Sequence, residues 1–372
     1  MKNNSGLSAQ DKRDDKKFMK IALKLSLRGS GFTEPNPLVG AVAVKNGKIL
    51  ACGYHQAFGM KHAEAMALEN LAVPGTTLYL TLEPCCHFGK TPPCTDLIIA
   101  KKVRRVVMAM FDPNPLVNGA GSRELQAHGI LTSCGLGGER AAWVNRHYLK
   151  AIRTGVPYVT LHAGISLDGK LTDDAGHSRW VTSEEGRRYS HSLRGEFSAI
   201  LAGRGTILAD NPRLTLREPG WEGKTLYRVV LDSANSLPRR LNIFQEQDRF
   251  PLVIFSSRDA ANRKKKVPLH FFVSHDAHGL VLPEILSELG RLGIASLLVE
   301  GGGRVLDSFV RERLFDEIAL FISNKIIGGR NSVQIFASGV ARLEDALELA
   351  DCRWSEYAGG FMLRGFKKCS PD

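Results

Sequence analysis

Apolar residues along the chain follow two spacings, one typical of helices and one typical of buried strands. Between Phe18 and Leu25 they recur at helical spacing, whereas Val39–Val44 is a continuous apolar run. Helices and strands that alternate in this way indicate a three-layer α/β domain. In order, the predicted elements are a helix at Phe18–Leu25, strands at Val39–Val44 and Ile49–Tyr54, a helix at His62–Leu71, a strand at Leu78–Leu82, a helix beginning at Cys94, a strand at Val103–Met110, and helices at Gly121–Ala127 and Glu139–Lys150.

The α/β pattern restarts after Arg153–Pro157, a segment with the glycine and proline of a domain joint. We therefore expect one domain over residues 14–150 and a second over residues 155–372. The second is predicted to contain strands at Tyr158–Ile165, Ala199–Gly203, Tyr227–Asp232, Leu252–Phe255, Ala295–Glu300 and Glu317–Ile322, helices at Ser183–Arg194, Leu282–Leu292 and Val305–Arg313, and a last, edge strand at Phe361–Phe366.

Composition places the chain among ordinary globular proteins. Of its 372 residues, 43% are apolar and 24% are charged. No apolar run approaches the roughly 18 residues of a membrane span, and no apolar h-region of the kind found in secretion signals follows the polar start Met1–Ser5. We expect a cytoplasmic protein, where seven cysteines indicate metal binding before disulfides.

The net charge of +12 lies mostly in the first 150 residues. A basic surface there favours an anionic partner, either a phosphorylated metabolite or nucleic acid. Solubility alone would explain the charge equally well.

The residues from His62 to Cys94 carry the strongest chemical pattern. His62-Ala63-Glu64 is followed by Cys85 and Cys94, which together offer one nitrogen donor, two thiols and a carboxylate that need not be a ligand. Such a set suits one zinc ion with an open coordination position for water, beside a Glu that moves protons. It resembles the signature of zinc nucleobase deaminases, except that eight residues rather than two separate the cysteines.

The second half offers a weaker pattern. Glu300-Gly301-Gly302-Gly303 joins a predicted strand to a predicted helix, where glycines let main-chain N–H groups approach a phosphate. A tight turn would need the same glycines. Arg194 and Arg217 are candidate clamps for a phosphate or carboxylate.

Motifs along the whole chain from about Lys17 resemble one family, the bifunctional deaminase–reductases of riboflavin biosynthesis. In the first half they are Pro35–Gly40, Gly53–His55, His62–Glu64, Thr81–Cys85, His87–Cys94 and Asp112–Pro115. In the second half they are Arg153–Tyr158, Ser166–Gly169, Arg179–Thr182 and Leu208–Asp210.

The resemblance implies a cytidine-deaminase-like first domain and a dihydrofolate-reductase-like second domain. The first would hydrolyse an amino group of a diamino(ribosylamino)pyrimidinone 5′-phosphate, using one zinc ion per chain. The second would reduce the ribosyl group to ribityl with NADPH. The implied partners are this small phosphorylated pyrimidine and further copies of the chain, with neither nucleic acid nor membrane.

The resemblance also implies residue roles. In the deaminase, Glu64 would be catalytic, His62, Cys85 and Cys94 would bind zinc, and Asn36, His87, Lys90, Asp112 and Asn114 would bind substrate. In the reductase, the substrate residues would be Ser178, Arg194, Leu214, Arg217 and Glu300, and the NADPH residues Gly164, Trp180, Thr206, Asp210, Ser233, Gly301, Gly302 and Gly303.

Two positions depart from the family pattern. Cys86 replaces an expected Ser and could offer an alternative thiol ligand. His162 replaces a Lys that is thought to assist reduction.

Two other functions share parts of these patterns. A nucleic-acid deaminase has the same zinc signature and favours basic surfaces. A binding module with a closed structural zinc would use Cys86 or His87 as the fourth ligand. The long Cys85–Cys94 segment argues against the first alternative, and Glu64 beside His62 argues against the second.

Overall fold

The computed structural model describes residues 9–71, 73–89, 92–262 and 267–367. The chain forms two compact units, the first ending at Thr154 and the second beginning at Gly155. The helices and strands of the first unit are α1 (Ala9–Ser26), β1 (Gly40–Lys45), β2 (Lys48–Tyr54), α2 (Ala63–Leu68), β3 (Thr77–Leu80), α3 (Cys94–Ala100), β4 (Arg105–Met108), α4 (Ala120–Ala127), β5 (Leu131–Cys134), α5 (Gly138–Val144) and α6 (Arg146–Thr154).

A five-stranded sheet with the order β2-β1-β3-β4-β5 forms the centre of the first unit. Strand β1 is antiparallel to β2 and β3, and β3, β4 and β5 are parallel. Side chains alternate across the sheet, so that Ala41 and Ala43 pack with residues of α2, α3 and α4, while Val42 and Val44 pack with residues of α1 and α5. The predicted three-layer arrangement is confirmed.

Gly53 lets helix α2 approach the sheet closely. A Cβ atom at this position of β2 would lie 2.2 Å from the carbonyl oxygen of Ala63, the first residue of α2. The absent side chain therefore sets the place of the α2 N-terminus, where His62 and Glu64 lie.

The helix expected at Glu139–Lys150 is instead two helices, α5 and α6, which are separated at Asn145. The amide of buried Asn145 accepts from the Leu38 N–H at 2.7 Å and donates to the Leu38 carbonyl at 3.0 Å. These paired bonds anchor the neighbouring turn Pro35-Asn36-Pro37.

The second unit contains β6 (Tyr158–Ile165), α7 (Glu184–Leu193), β7 (Ala199–Gly203), α8 (Arg204–Asp210), β8 (Tyr227–Leu231), β9 (Leu252–Ser257), β10 (Leu269–Val273), β11 (His275–Asp276), β12 (Gly279–Leu280), α9 (Leu282–Arg291), β13 (Ser296–Val299), α10 (Gly303–Arg311), β14 (Glu317–Ser323), β15 (Leu349–Tyr357) and β16 (Gly360–Lys367). Its main sheet has nine strands in the order β10-β9-β8-β7-β13-β6-β14-β16-β15. The seven strands from β10 to β14 in this order are parallel, and β16 and β15 extend the sheet antiparallel. Helices α9 and α10 cover one face of this sheet.

The strand order reverses its direction of growth at the centre of the sheet. From β6 the chain crosses to β7 and continues outward to β10, and it then returns to place β13 between β7 and β6. Ligands of open α/β sheets bind outside the carboxyl ends of strands at such a reversal. The strand expected at Phe361–Phe366 exists as β16, but the prediction that it is an edge strand was wrong, because β15 pairs along its outer side.

Candidate active sites

His62, Cys85 and Cys94 form one group whose donor atoms all lie within 4.8 Å of one another. His62 Nδ1 lies 3.6 Å from Cys85 Sγ and 3.3 Å from Cys94 Sγ. Tetrahedral zinc with ordinary bond lengths separates a sulfur and a nitrogen ligand by about 3.6 Å. Both distances are near this value, so the three side chains fit one zinc ion.

The elements around this group favour the thiolate form of Cys85. Cys94 is the first residue of α3, and its main-chain N–H donates to Cys85 Sγ at 3.4 Å. The Cys94 side chain, followed by His62 and this N–H group, lowers the pKa of Cys85 against the effect of burial. A thiolate is the form that binds metal.

Glu64 lies beside the three donors, in the first turn of α2, and is only 4% exposed. Burial, and then the charge of Cys85, raise the pKa of Glu64 to about 7. A carboxyl group with such a pKa can both accept and release a proton near neutral pH.

Among the described residues, the potential metal group contains neither Cys86 nor His87. The Cys86 sulfur instead faces the carbonyl oxygen of Leu116 at 3.8 Å. This arrangement argues against the closed structural zinc site, because neither alternative fourth ligand joins the other three.

A cavity of about 400 Å³ adjoins the metal group. Most of the substrate residues expected in this domain line it, namely Asn36, His87, Asp112 and Asn114, together with His62, Glu64 and Cys85. Lys90 lies outside the described residues. The space accommodates a small ring compound, and its polar lining can orient one.

Three further buried residues support this lining and were missed by sequence reasoning. Tyr148 donates to Asp112 Oδ1 at 2.7 Å, and the ring of His55 contacts Asn36. The Glu83 carboxylate accepts from the N–H groups of Asp112, Gly119 and Ser122 at 3.3, 2.8 and 2.9 Å. His55 and Glu83 fall within the quoted motifs, but no sequence signal marks Tyr148.

In the second unit, several of the expected cofactor residues lie near the carboxyl ends of the central strands. Thr206 is in the first turn of α8, Ser233 follows β8, and Gly301–Gly303 connects β13 to α10. The Thr206 hydroxyl accepts from the Gly302 N–H at 3.0 Å, which joins two of these segments. Asp210 ends α8, Gly164 lies on β6, and Trp180 is 59% exposed with Arg187 over its ring.

The glycine segment fits a phosphate-bearing cofactor such as NADPH. A Cβ atom at Gly301 would lie 2.6 Å from Val305, and one at Gly303 would lie 2.5 Å from the carbonyl oxygen of Gln334. Glycine therefore lets this turn pack against Val305 and Gln334 without a clash, and the turn leads into the N-terminus of α10, where main-chain N–H groups favour an anion.

Arg194 does not have the free guanidinium group of the expected phosphate clamp. Its Nε and a terminal nitrogen donate to the two carboxylate oxygens of Glu300 at 2.8 and 2.7 Å, and both side chains are largely buried. The other terminal nitrogen faces the Thr215 carbonyl at 3.3 Å. The ion pair uses the fork with which Arg194 was expected to bind phosphate, while Arg217 is exposed.

The remaining expected substrate residues differ in exposure. The Leu214 side chain packs in the hydrophobic core, so only its main chain is available to a ligand. Ser178 is partly exposed.

His162, which stands in place of the family Lys, is buried, and its Nδ1 lies 2.7 Å from the Ala319 carbonyl. Burial lowers the pKa of His162.

These sites define a class of protein, a zinc-type deaminase domain followed by a nucleotide-dependent reductase domain. The cytidine and deoxycytidylate deaminase zinc-binding region matches residues 12–110, and the RibD C-terminal domain matches residues 157–363. The riboflavin biosynthesis protein RibD of Aquifex aeolicus is 41% identical over 338 residues, which cover 90% of this chain and 93% of that protein. The Escherichia coli protein of the same name is 39% identical over 345 residues, covering 89% and 94%.

A solved structure is similar over the same extent. The diaminohydroxyphosphoribosylaminopyrimidine deaminase/5-amino-6-(5-phosphoribosylamino)uracil reductase of Thermotoga maritima aligns with a TM-score of 0.84 at 34% identity, covering 96% of this chain and 99% of that one. The chain belongs to the RibD family of riboflavin biosynthesis proteins. It is a bifunctional enzyme with a zinc-dependent deaminase and an NADPH-dependent reductase, as the resemblance predicted. Among its described residues, no helix combines the length and apolar character needed to cross a membrane.

Proposed function

We propose that the first unit hydrolyses the ring amino group of a diamino(ribosylamino)pyrimidinone 5′-phosphate. The observation that carries this proposal is the three-donor group with Glu64 beside it, at the wall of a cavity of about 400 Å³. The similar Thermotoga maritima protein bears the name of a deaminase of this compound class.

In this proposal His62, Cys85 and Cys94 would hold one zinc ion, and a bound zinc would lower the pKa of the water that replaces the amino group at the ring carbon. Glu64 takes a proton from that water and delivers one to the amino group, which leaves as ammonia. Its burial and raised pKa support both roles.

Polar residues of the cavity orient the pyrimidine. Asn36, Asp112, Asn114 and His87 line the same cavity as Glu64, and in this proposal His87 binds the phosphate together with Lys90. His87 Nδ1 is buried and has no hydrogen-bond partner among the described residues, which supports a role in ligand binding.

We propose that the second unit reduces the ribosyl group of the deaminated product to ribityl, with the hydride supplied by NADPH. Gly164, Trp180, Thr206, Asp210, Ser233 and Gly301–Gly303 bind the cofactor. In this proposal Ser178, Arg217 and the main chain of Leu214 contact the substrate. The Arg194–Glu300 pair supports this segment, because Arg194 also donates to the carbonyl of Thr215, next to Leu214.

One assay on the full, zinc-loaded chain tests both activities. With the pyrimidine 5′-phosphate, we expect ammonia release followed by NADPH oxidation. Comparison substrates are its dephosphorylated form, dCMP and a single-stranded oligonucleotide containing cytosine. Faster deamination of the oligonucleotide than of the pyrimidine phosphate would favour the nucleic-acid alternative and reject the proposal.

We further propose a cytoplasmic homo-oligomer that assembles through β15. Free thiols at the metal group are typical of proteins in a reducing compartment. Positions Ala350–Glu356 of β15 are exposed on both faces, and Trp354 is 68% exposed. An edge strand of this length is a template for pairing with another chain.

The mass of the protein in solution tests this assembly. Sedimentation should show a dimer or larger species for the wild type and a smaller species for Trp354→Asp. Leu343→Asp, which alters an exposed apolar residue outside the strand, is the control and should keep the wild-type mass. A wild type that is monomeric at micromolar concentration would contradict the proposal.

A further inference from the structure

Two partly buried hydrogen bonds, both made by His55, connect the main chain beside the metal group to Asn36. His55 Nδ1 lies 3.1 Å from the carbonyl oxygen of Lys61, and His55 Nε2 lies 3.1 Å from Asn36 Nδ2. His55 is only 2% exposed, and its ring meets that of His62 edge to face. The imidazole therefore lies between a fixed carbonyl and a side chain of the substrate cavity.

The direction of each hydrogen bond follows from the chemistry of the three groups. A carbonyl oxygen only accepts, so His55 Nδ1 must carry a hydrogen. Both ring nitrogens face uncharged groups, and a buried cation without a carboxylate partner is costly, so the ring is neutral. Its Nε2 then accepts, and the Asn36 amide must donate to it.

This direction decides how Asn36 faces the cavity. With one N–H used by His55, the amide presents its Oδ1 and its second N–H to the ligand. The Asn145 bonds to Leu38 hold the main chain of this turn, but they do not determine the rotation of the Asn36 amide. That rotation depends on His55.

We propose that His55 is a positioning residue of the deaminase, which orients the Asn36 amide so that Oδ1 selects an N–H donor on the pyrimidine. The inference rests on the proposed deaminase function and adds the chemistry of one substrate edge. An amino group or a protonated ring nitrogen satisfies Oδ1. A ring that presents a carbonyl or an unprotonated nitrogen there places two acceptors face to face.

The first test reads the tautomer without an activity assay. In the zinc-loaded full chain labelled with ¹⁵N-histidine, long-range ¹H–¹⁵N correlations distinguish hydrogen on Nδ1, on Nε2 or on both. The His55 signal is identified by its absence from His55→Gln. We expect a neutral ring with hydrogen on Nδ1 alone, and hydrogen on Nε2 overturns the proposal.

The second test asks whether His55 acts through Asn36. His55→Leu removes both hydrogen bonds and should lower kcat/KM for ammonia release on the order of 10²-fold, because it releases a group that orients the substrate. In an Asn36→Ala background the same change should alter kcat/KM by no more than about threefold. His55→Gln keeps one donor and one acceptor and should restore most of the loss.

Zinc content and a matched variant separate this role from general damage. All variants should retain one zinc ion per chain, and His128→Leu, at an exposed His of the same unit, should have wild-type kinetics. Equal losses from His55→Leu in the two backgrounds overturn the proposal. If His55→Leu loses zinc, the tautomer decides alone. If the wild type releases no ammonia from the pyrimidine phosphate, the proposed function fails, whereas the tautomer still tests the orientation.

Discussion

Replacing Arg194 by Ala tests whether this residue is a structural partner or a substrate clamp. The change leaves the Glu300 carboxylate, whose side chain is 14% exposed, without the two hydrogen bonds that Arg194 donates to it. Breaking a buried ion pair by removing one partner costs about 3–5 kcal/mol. For a unit of this size, each kcal/mol lowers Tm by about 2–4 °C, so we expect a decrease of about 10 °C.

The pH dependence provides a second signature of the pair. Burial alone would raise the pKa of Glu300, but the Arg194 guanidinium outweighs this effect and the pKa lies below its usual value. The pair therefore stabilises the fold above the ordinary carboxyl pKa, and this contribution disappears as the pH falls through the lowered value. In Arg194→Ala the carboxyl becomes protonated more readily, so the Tm difference from wild type should shrink on acidification.

Heat denaturation followed by tryptophan fluorescence suits this measurement, because Trp180, Trp221 and Trp354 all lie in the second unit. Arg188→Ala is the matched control. Arg188 forms an exposed ion pair with Glu184 on α7, and its loss should change stability by no more than about 0.5 kcal/mol. Arg194→Met combined with Glu300→Leu should lose less stability than Arg194→Ala, since no charge remains buried.

The substrate-clamp hypothesis makes the opposite forecast. It expects Arg194→Ala to raise KM for the reduction step and to have the same Tm as the control variant Arg188→Ala. That result would refute the ion-pair reasoning and would support a role of Arg194 in binding the substrate phosphate.

Three further predictions concern the deaminase unit. Glu64→Gln should keep zinc but lower the rate of ammonia release by roughly 10²-fold or more. Glu69→Gln, at the exposed end of the same helix, should release ammonia at the wild-type rate. Rapid release by a zinc-loaded Glu64→Gln protein would exclude the proton-transfer role. Replacing the metal by cobalt should give the absorption spectrum of a site with two thiolate ligands, and Cys86→Ser should leave this spectrum unchanged. A spectrum with a third thiolate contribution, lost in Cys86→Ser, would show that Cys86 closes the site. Glu83→Gln should lower the free energy of unfolding by about 1–3 kcal/mol and raise the substrate KM, because one carboxylate oxygen that accepts N–H groups is replaced by a donor. An unchanged Tm and KM would show that the loop from Asp112 to Ser122 is held by other contacts.

The sequence predicted the features that depend on local pattern. Strand β6 has the predicted bounds Tyr158–Ile165, because a segment rich in apolar and β-branched residues begins there after Pro157 and ends before Ser166. The donor types of His62, Cys85 and Cys94 predicted a metal group, and the structure brings them together. In each case the informative residues are close in sequence or chemically distinctive.

Features that depend on distant contacts were not predictable in this way. Strand β15 was missed because most of its residues are exposed on both faces, so no alternation of apolar and polar positions marks it. Helix α8 is short and buries only Ile207, which leaves no apolar stripe. The pairing of Arg194 with Glu300 joins residues 106 positions apart, and an arginine alone does not reveal its partner.

The metal group also has a consequence for how the chain folds. An ion held by His62, Cys85 and Cys94 closes loops of 23 and 32 residues, as a covalent cross-link would. In the chain-entropy model, closing a loop of this length lowers the entropy of the unfolded chain and so stabilises the fold by about 3–4 kcal/mol. Helices α2 and α3 have only six and seven residues and are too short to be stable alone. Loss of the ion would therefore release the loop closure that holds these two helices in place, so metal supply would limit how much folded enzyme accumulates.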